Sequence, residues 1–316
     1  NSLNKTKRVI ALGFFDGVHT GHGALLQRVT QRARELDAIP TAFTFDRSPT
    51  AAITGQHVPL LSSVEDRVWL MRSCYHIQEV IVSSFDGMMR MDWQDFITEY
   101  LVRELGVVHV VAGHDFHFGY MGKGNPRRLQ EKCAQLGIGC DIIPKVEQDG
   151  ITISSTYIRT LVAQGEMERA GEFLGHPHTL TDRVAHGKKI GGSALGFPTV
   201  NLRVPAGVIV PAFGVYATRV WFDGQCRNGV TNVGVRPTVE DNDGRVTVES
   251  YILDFDGDLY GKSVEVALLS FLRPERKFDS IEQLKEQISQ DSEAARRISG
   301  AYLKNRRIEE RNLQKI

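Results

Sequence analysis

The sequence predicts two domains: an α/β, Rossmann-like domain built on a parallel sheet, followed by an antiparallel β-barrel closed by a C-terminal helix. Three observations predict this. Short apolar runs alternate with helix-patterned segments from Lys7 to about Leu174, which implies parallel strands with helices on both faces. Gly175-His176-Pro177-His178 interrupts that pattern, and from Thr179 the chain reads as strands punctuated by turns. A long helical pattern returns only at Ser280, where Leu284 and Ile288 fall on one face. The boundary is expected near His178, giving domains 1–177 and 178–316. A chain of 316 residues is long enough for two separate cores.

The first apolar run, Val9 to Leu12, stops at Gly13, and helical spacing resumes through Leu25, Leu26 and Val29 to about Leu36. This is a strand, tight turn and helix. His19 and His22 lie three apart in the first helical turn, beside N–H groups that lack intrahelical partners, a place suited to phosphate. Gly13, Gly17 and Gly21 let backbone approach an anion closely. A surface helix start with two solvated histidines is the plain alternative for this motif. Further strands are expected at Pro40 to Phe45, Glu79 to Val82, Val107 to Ala112 and Cys140 to Pro144. Between them fall helices at Val64 to Tyr75, capped by Ser62 or Ser63, at Asp92 to Leu105 and at Pro126 to Leu136. Ligands of such sheets sit beyond the carboxyl ends of the strands. The loops after the first strand and after Val107 to Ala112 therefore face one cleft.

In the second half, Gly214 to Phe222, Val246 to Phe255 and Ser263 to Leu272 are β-rich, and Asp223-Gly224 and Asp256-Gly257 mark hairpin breaks. GGSALGFPTVNL supplies Gly192, Gly196 and Pro198 in a turn-rich loop, then Thr199 and Asn201 on one side of an extended segment. No Lys-Ser/Thr pair follows, so it is not a Walker A loop. Neutral oxygens beside nucleotide phosphates suit Mg2+. An unliganded glycine-rich hairpin is the plain alternative.

Lysine plus arginine and aspartate plus glutamate number 38 each, so charge gives no reason to expect nucleic acid or an acidic membrane as partner. Cys74, Cys133, Cys140 and Cys226 show no C-x-x-C spacing, which points away from zinc and toward a reducing compartment. No apolar run is of membrane-spanning length, and a cytoplasmic location is expected.

The loop Gly13, Phe15, Asp16, His19, Gly21 and His22 resembles the signature of the nucleotidylyltransferase superfamily, most closely its flavin-adenylating branch. Gly113-His114-Asp115-Phe116-His117-Phe118-Gly119 and Ser154-Ser155-Thr156-x-x-Arg159 match two further motifs of that branch. The departure is Asp46-Arg47-Ser48-Pro49, where the family carries Pro-His-Pro. The second half resembles riboflavin kinases through Gly192, Gly196, Pro198, Thr199 and Asn201. Asn232 to Thr238, Val248-Glu249, Asp258 to Gly261 and Phe271 to Phe278 support it, with Tyr251 replacing a usual histidine.

The resemblance implies that ATP binds through Gly13, Phe15, Asp16, His19, Gly21, His22, Ser155, Thr156 and Arg159, with His19 and His22 catalytic. It implies flavin contacts at Asp115, Phe116 and Phe118. In the second domain it implies ATP contacts at Gly192, Gly196, Pro198, Thr199 and Asn201, Mg2+ on Thr199 and Asn201, and Glu249 as catalytic base. The expected substrates and products are ATP, riboflavin, FMN and FAD. Two other classes stay open from the residues alone: a flavin-binding protein without chemistry, and a nucleotidylyltransferase for another acceptor.

Overall fold

The computed structural model describes residues 6–184, 198–235 and 245–313, with side chains up to 306. The chain divides into two compact units, Asn1–Ser155 and Thr156–Ile316.

The first unit is a five-stranded parallel sheet with strands β1 (Arg8–Leu12), β2 (Ile39–Phe45), β3 (Glu79–Ser83), β4 (Val107–Gly113) and β5 (Gly139–Ile143), ordered β3-β2-β1-β4-β5. In register, Ile10 stands between Thr41 and Val110. Alternation along the strands divides the apolar residues between two cores. Ile10, Leu12, Phe43 and Val110 pack with Phe96, Ile97, Leu101 and Leu129 on one face. Val9, Ala11, Ala42 and Val111 pack with Leu25, Leu26, Val29 and Met71 on the other.

Helix α1 (Thr20–Leu36) follows β1, while α2 (Pro49–Thr54) and α3 (Val64–Tyr75) connect β2 to β3. Ser63 caps α3, its Oγ accepting the Asp66 N–H at 3.1 Å. Ser62 has another task, accepting the Gly17 N–H at 3.0 Å. After α4 (Phe85–Met89), the helix expected over 92–105 is a short α5 (Trp93–Asp95) that widens into a π-helical segment, Phe96–Glu104. There Leu105 N–H bonds five residues back to Tyr100 O. Then come α6 (Pro126–Leu136) and a short ribbon of β6 (Glu147–Gln148) and β7 (Ile151–Thr152).

The second unit holds β8 (His178–Arg183), β9 (Thr199–Arg203), β10 (Gly214–Phe222), β11 (Gln225–Val235), β12 (Val246–Ile252) and β13 (Ser263–Arg273), all antiparallel, in the order β8-β13-β10-β11-β12-β9. The terminal strands β8 and β9 are linked where Arg203 N–H donates to the Asp182 carboxylate at 2.9 Å. On β10, β11 and β12, the fully buried Thr218, Thr231 and Ser250 link their hydroxyls at 2.9 and 2.7 Å. These polar groups satisfy one another away from water.

Helix α7 (Ser155–Gln164) and α8 (Met167–Leu174) precede β8. Ala212 N–H bonds to Val162 O at 3.3 Å, and α8 lies on β8 and β13 with Phe173 fully buried. By packing, these helices belong with the barrel. The long helix α9 (Ile281–Leu313) lays Ala295 and Ile298 against Val215, Ala217, Val230 and Leu253. The Arg273–Asp291 ion pair at 2.9 Å fastens it. Among the described residues, no helix is long and apolar enough to cross a membrane.

Candidate active sites

In the first unit the strand order reverses between β1 and β4, the place where an open α/β sheet leaves a crevice at its carboxyl edge. A cavity of about 970 Å³ opens there. Gly13, Phe15, His19, Gly21 and His22 from the first loop line it, with Asp115, Phe116 and Phe118 from the second and Ser155. The two loops thus meet at one cleft, as expected.

The first loop is wound through backbone conformations that side chains rarely adopt: Phe15 has φ 58°, Gly17 φ 80° and Val18 φ 45°. Only surrounding structure that over-determines the loop can hold a buried phenylalanine and a β-branched valine there. Asp16 supplies much of it. Its carboxylate is 2 % exposed and accepts the Leu61 N–H at 2.9 Å and the Ser62 N–H at 3.2 Å. Ser155 Oγ donates to Asp16 O at 2.9 Å, and Thr44 Oγ1 donates to Phe14 O at 2.7 Å. Asp16, expected among the ATP contacts, turns inward and braces the loop; it is not among the residues lining the cavity. A carboxylate saturated by backbone N–H groups is a fastening for the chain.

His19 is the N-cap of α1, and its Nδ1 accepts the His22 N–H at 3.1 Å. One of the N–H groups expected to await an anion is therefore already satisfied. The two imidazoles stack with centroids 3.5 Å apart and planes at 12°, and Phe15 stands edge-on to His22 at 5.3 Å. Burial, then His19, then Arg67 hold His22 well below the ordinary histidine range, so it is neutral at pH 7. His22 Nδ1 is buried without a hydrogen-bond partner among the described residues. The glycines have a steric duty as well. A Cβ on Gly21 would lie 2.9 Å from His19 Cε1, and one on Gly13 2.9 Å from the tip of the Phe15 ring.

On the facing loop, Phe116 and Phe118 stack at 5.6 Å. Phe118 is also a core residue, against Phe96 at 5.4 Å, while Phe116 is half-buried and Asp115 exposed. His114 and His117 line the same cavity and are exposed to it. They flank the Asp115-Phe116 pair. The unusual Asp46-Arg47-Ser48-Pro49 loop is well fastened. Asp46 accepts the Phe85 N–H at 3.1 Å, Arg47 pairs with Asp86, and Ser48 caps α2, whose Pro49 and Ile53 line the cavity. Thr156 is exposed and Arg159 half-buried on α7, in the second compact unit.

In that unit, Gly192 and Gly196 lie outside the described residues. Pro198 leads into β9, where Thr199 and Asn201 share a face. Thr199 Oγ1 donates to Glu249 Oε1 at 3.2 Å. Asn201, Glu249 and Asn232 stand opposite one another on β9, β12 and β11, forming a row of three polar side chains across the sheet. Val248 and Ser250 are fully buried, so the alternation along β12 is as expected. The Oδ1 atoms of Asn201 and Asn232 are both buried without a partner among the described residues. Asn232 Nδ2 donates to Glu275 Oε1 at 2.8 Å, and Gly234 leaves room for that carboxylate, which a Cβ would meet at 2.1 Å. Asn232 was legible only as part of a motif; its place in the row comes from strand register. Tyr251 packs against the core of Val215, Ala217, Val230, Leu253 and Ala295, and burial raises its pKa.

A doubly wound parallel sheet with a dihistidine helix start at its switch point defines an α/β domain of the nucleotidylyltransferase class, here joined to an antiparallel barrel with a polar row on one face. The family model for FAD synthetase matches residues 1–157, and that for riboflavin kinase matches residues 174–299. A bifunctional riboflavin kinase/FMN adenylyltransferase of Listeria monocytogenes is 35% identical over 92% of this chain and 91% of its own length. One of Pseudomonas fluorescens is 36% identical over 92% and 93%. A solved structure from Streptococcus pneumoniae, described as a macrolide-efflux protein, has a TM-score of 0.80 at 30% identity and covers 92% of this chain and 94% of its own. The chain belongs to the bifunctional riboflavin kinase/FMN adenylyltransferase family.

Proposed function

We propose that this protein phosphorylates riboflavin with ATP to give FMN, and joins FMN to AMP from a second ATP to give FAD and pyrophosphate. Residues 178–316 carry the first reaction and residues 1–177 the second. Membership of the bifunctional family supports the pair of reactions. The observation that carries the assignment of chemistry to residues is the row Asn201–Glu249–Asn232, with Thr199 bonded to Glu249.

In the kinase reaction Glu249 takes the proton of the terminal ribityl hydroxyl as its oxygen attacks the γ-phosphorus of ATP, and the bond from that phosphorus to the β,γ-bridging oxygen breaks as ADP leaves. Thr199 orients the carboxylate through its hydroxyl. Thr199 Oγ1 and the unpartnered Asn201 Oδ1 suit Mg2+, a hard cation that takes few protein oxygens and keeps substrate oxygens and water. When bound there, it would supply charge neutralisation on the transferring phosphoryl group.

In the adenylyl transfer the FMN phosphate attacks the α-phosphorus of ATP and pyrophosphate leaves. The stacked His19 and His22 offer ring nitrogens to the polyphosphate, where charge develops in the transition state. A bound polyanion raises the His22 pKa from its depressed value. The pair then becomes a better counter-charge when substrate is present than when it is absent. Phe116 and Phe118 offer apolar faces to the flavin ring.

The test is to incubate the purified chain with riboflavin, ATP and Mg2+ and to follow FMN and FAD by chromatography. Both products are expected in sequence. FAD formed from supplied FMN without any FMN formed from riboflavin would overturn the kinase assignment, and the converse would overturn the transferase assignment.

A further inference from the structure

Behind the dihistidine loop lies an arginine that no sequence motif pointed to. Arg67, on α3, is fully buried and the largest of the fully buried side chains in the chain's described core. Its Nη1 donates to Thr44 Oγ1 at 3.0 Å and to Phe45 O at 2.9 Å. Its Nε and Nη2 are buried with no partner among the described residues. The guanidinium lies 4.3 Å from the centre of the Phe14 ring, and Phe14 lines the cavity.

A buried cation is ordinarily paired with a carboxylate, because desolvation otherwise opposes its charge. Among the described residues no carboxylate forms an ion pair with Arg67. Asp16 is the acid whose field it feels, and that carboxylate is engaged by the backbone of Leu61 and Ser62. Burial accordingly draws the guanidinium down to about 10, against a partial opposing effect of Asp16. It still carries its charge at pH 7. The field of this cation reaches His22. Thr44, which receives the Arg67 Nη1 bond, in turn holds Phe14 O at 2.7 Å. The charge is thus wired by two hydrogen bonds to the loop that bears Gly13 and Phe15.

We propose that Arg67 is a positioning residue of the adenylyl-transfer site, a buried cation that no carboxylate among the described residues pairs with, and whose charge is balanced by the polyphosphate of ATP bound at the Gly13–His22 loop. Arg67 does not line the cavity and does not touch the nucleotide; it acts across Phe14, through low-dielectric surroundings that leave its field weakly screened. The inference rests on the proposal that the dihistidine cavity binds ATP. An arginine whose only task were to tie the end of β2 to α3 would need its hydrogen bonds and not its charge.

The test compares Arg67→Met, which keeps length and removes charge, with Arg67→Lys, which keeps charge and loses the fork. In the full-length chain with FMN supplied, Arg67→Met is expected to raise KM for ATP in FAD formation by about tenfold or more. Arg67→Lys is expected to stay within about threefold of the parent, and FMN formation from riboflavin is expected to be unchanged in both. KM for ATP unchanged in Arg67→Met, or equal losses in Met and Lys, would overturn the proposal. Should Arg67→Met fail to fold, the unaltered chain decides: the Arg67 Nε–H signal in NMR is expected to shift when ATP is added, and no response refutes the counter-ion role. If the unaltered chain forms FMN but no FAD, the reading of the cavity fails, while the Nε–H response still decides whether Arg67 senses polyphosphate.

Discussion

Gly21→Ala probes how closely the dihistidine site is fitted. The added methyl would sit 2.9 Å from His19 Cε1, 3.0 Å from His19 Nδ1 and 3.6 Å from Ile153 O. Ordinary carbon contacts are about 3.5–4.0 Å, so the His19 ring has to retreat by roughly 0.6 Å. Retreat is not free, because the ring is stacked at 3.5 Å on His22 and its Nδ1 holds the His22 N–H. Weakening that cap costs about 1 kcal/mol of stability, the usual worth of an N-cap bond. Displacing one member of a positioned pair by a sizeable fraction of an ångström is worth about 10- to 10²-fold in rate. FAD formation from FMN and ATP, followed by chromatography at saturating ATP, is expected to fall by that factor. FMN formation from riboflavin is expected to hold steady as the internal control. A Gly21→Ala variant that makes FAD at the parent rate would show that the placement of His19 does not matter to the chemistry.

Glu249→Gln keeps shape and loses basicity, so riboflavin phosphorylation is expected to drop by about 10²–10⁴-fold while FAD formation from supplied FMN is unaffected; a normal kinase rate would remove Glu249 as base. A fragment starting at Thr156 is expected to fold, as followed by circular dichroism, and to make FMN but not FAD. One starting at His178 lacks α8 with its buried Phe173 and Leu174 and is expected to melt lower; equal melting of the two would contradict the packing of α8 on the barrel. His178 is buried and held down to about 4, by burial first and by His176 second. Its folded pKa lies below the unfolded value of about 6.5, so its contribution is full above that value and is lost as pH falls from about 6.5 toward 4. The loss amounts to roughly 3 kcal/mol, and in urea titrations His178→Phe is expected to flatten that part of the stability profile, with an unaltered slope telling against it.

The parallel sheet was legible because its strands are buried on both faces and read as short apolar runs bounded by glycine, aspartate and helix caps. The ends of α3 and α6 follow from Ser63, Asn125 and the left-handed Gly137, all local signals. The winding at Phe96–Glu104 was not legible. Phe96, Ile97 and Leu101 are the buried positions there, and their spacing suits an α-helical stripe as well as the five-residue return observed. Asp16 and Arg67 show a second limit. A motif gives the order of residues but not the direction of each side chain, and Asp16 faces inward because two N–H groups, 45 and 46 residues away in sequence, converge on it. Asn232 could be placed beside Glu249 only by the register of β11 on β12. No local signal encodes a partner that arrives from another strand.

That register carries a consequence for how the kinase half can vary. Glu249 and Ser250 are neighbours in sequence but belong to opposite sides of β12: one bonds Thr199, and the other is sealed in a hydroxyl chain with Thr231. Gaining or losing a single residue within β12, upstream of Glu249, would exchange the two, sending a carboxylate into the barrel interior and presenting a serine to the substrate. Asn201 and Asn232 would then face a residue of the wrong kind, with no intermediate arrangement available. Sequence change by substitution can adjust this site gradually. Change in strand length acts on it as a parity switch, so insertions and deletions that keep this site intact are expected only in the connections between strands.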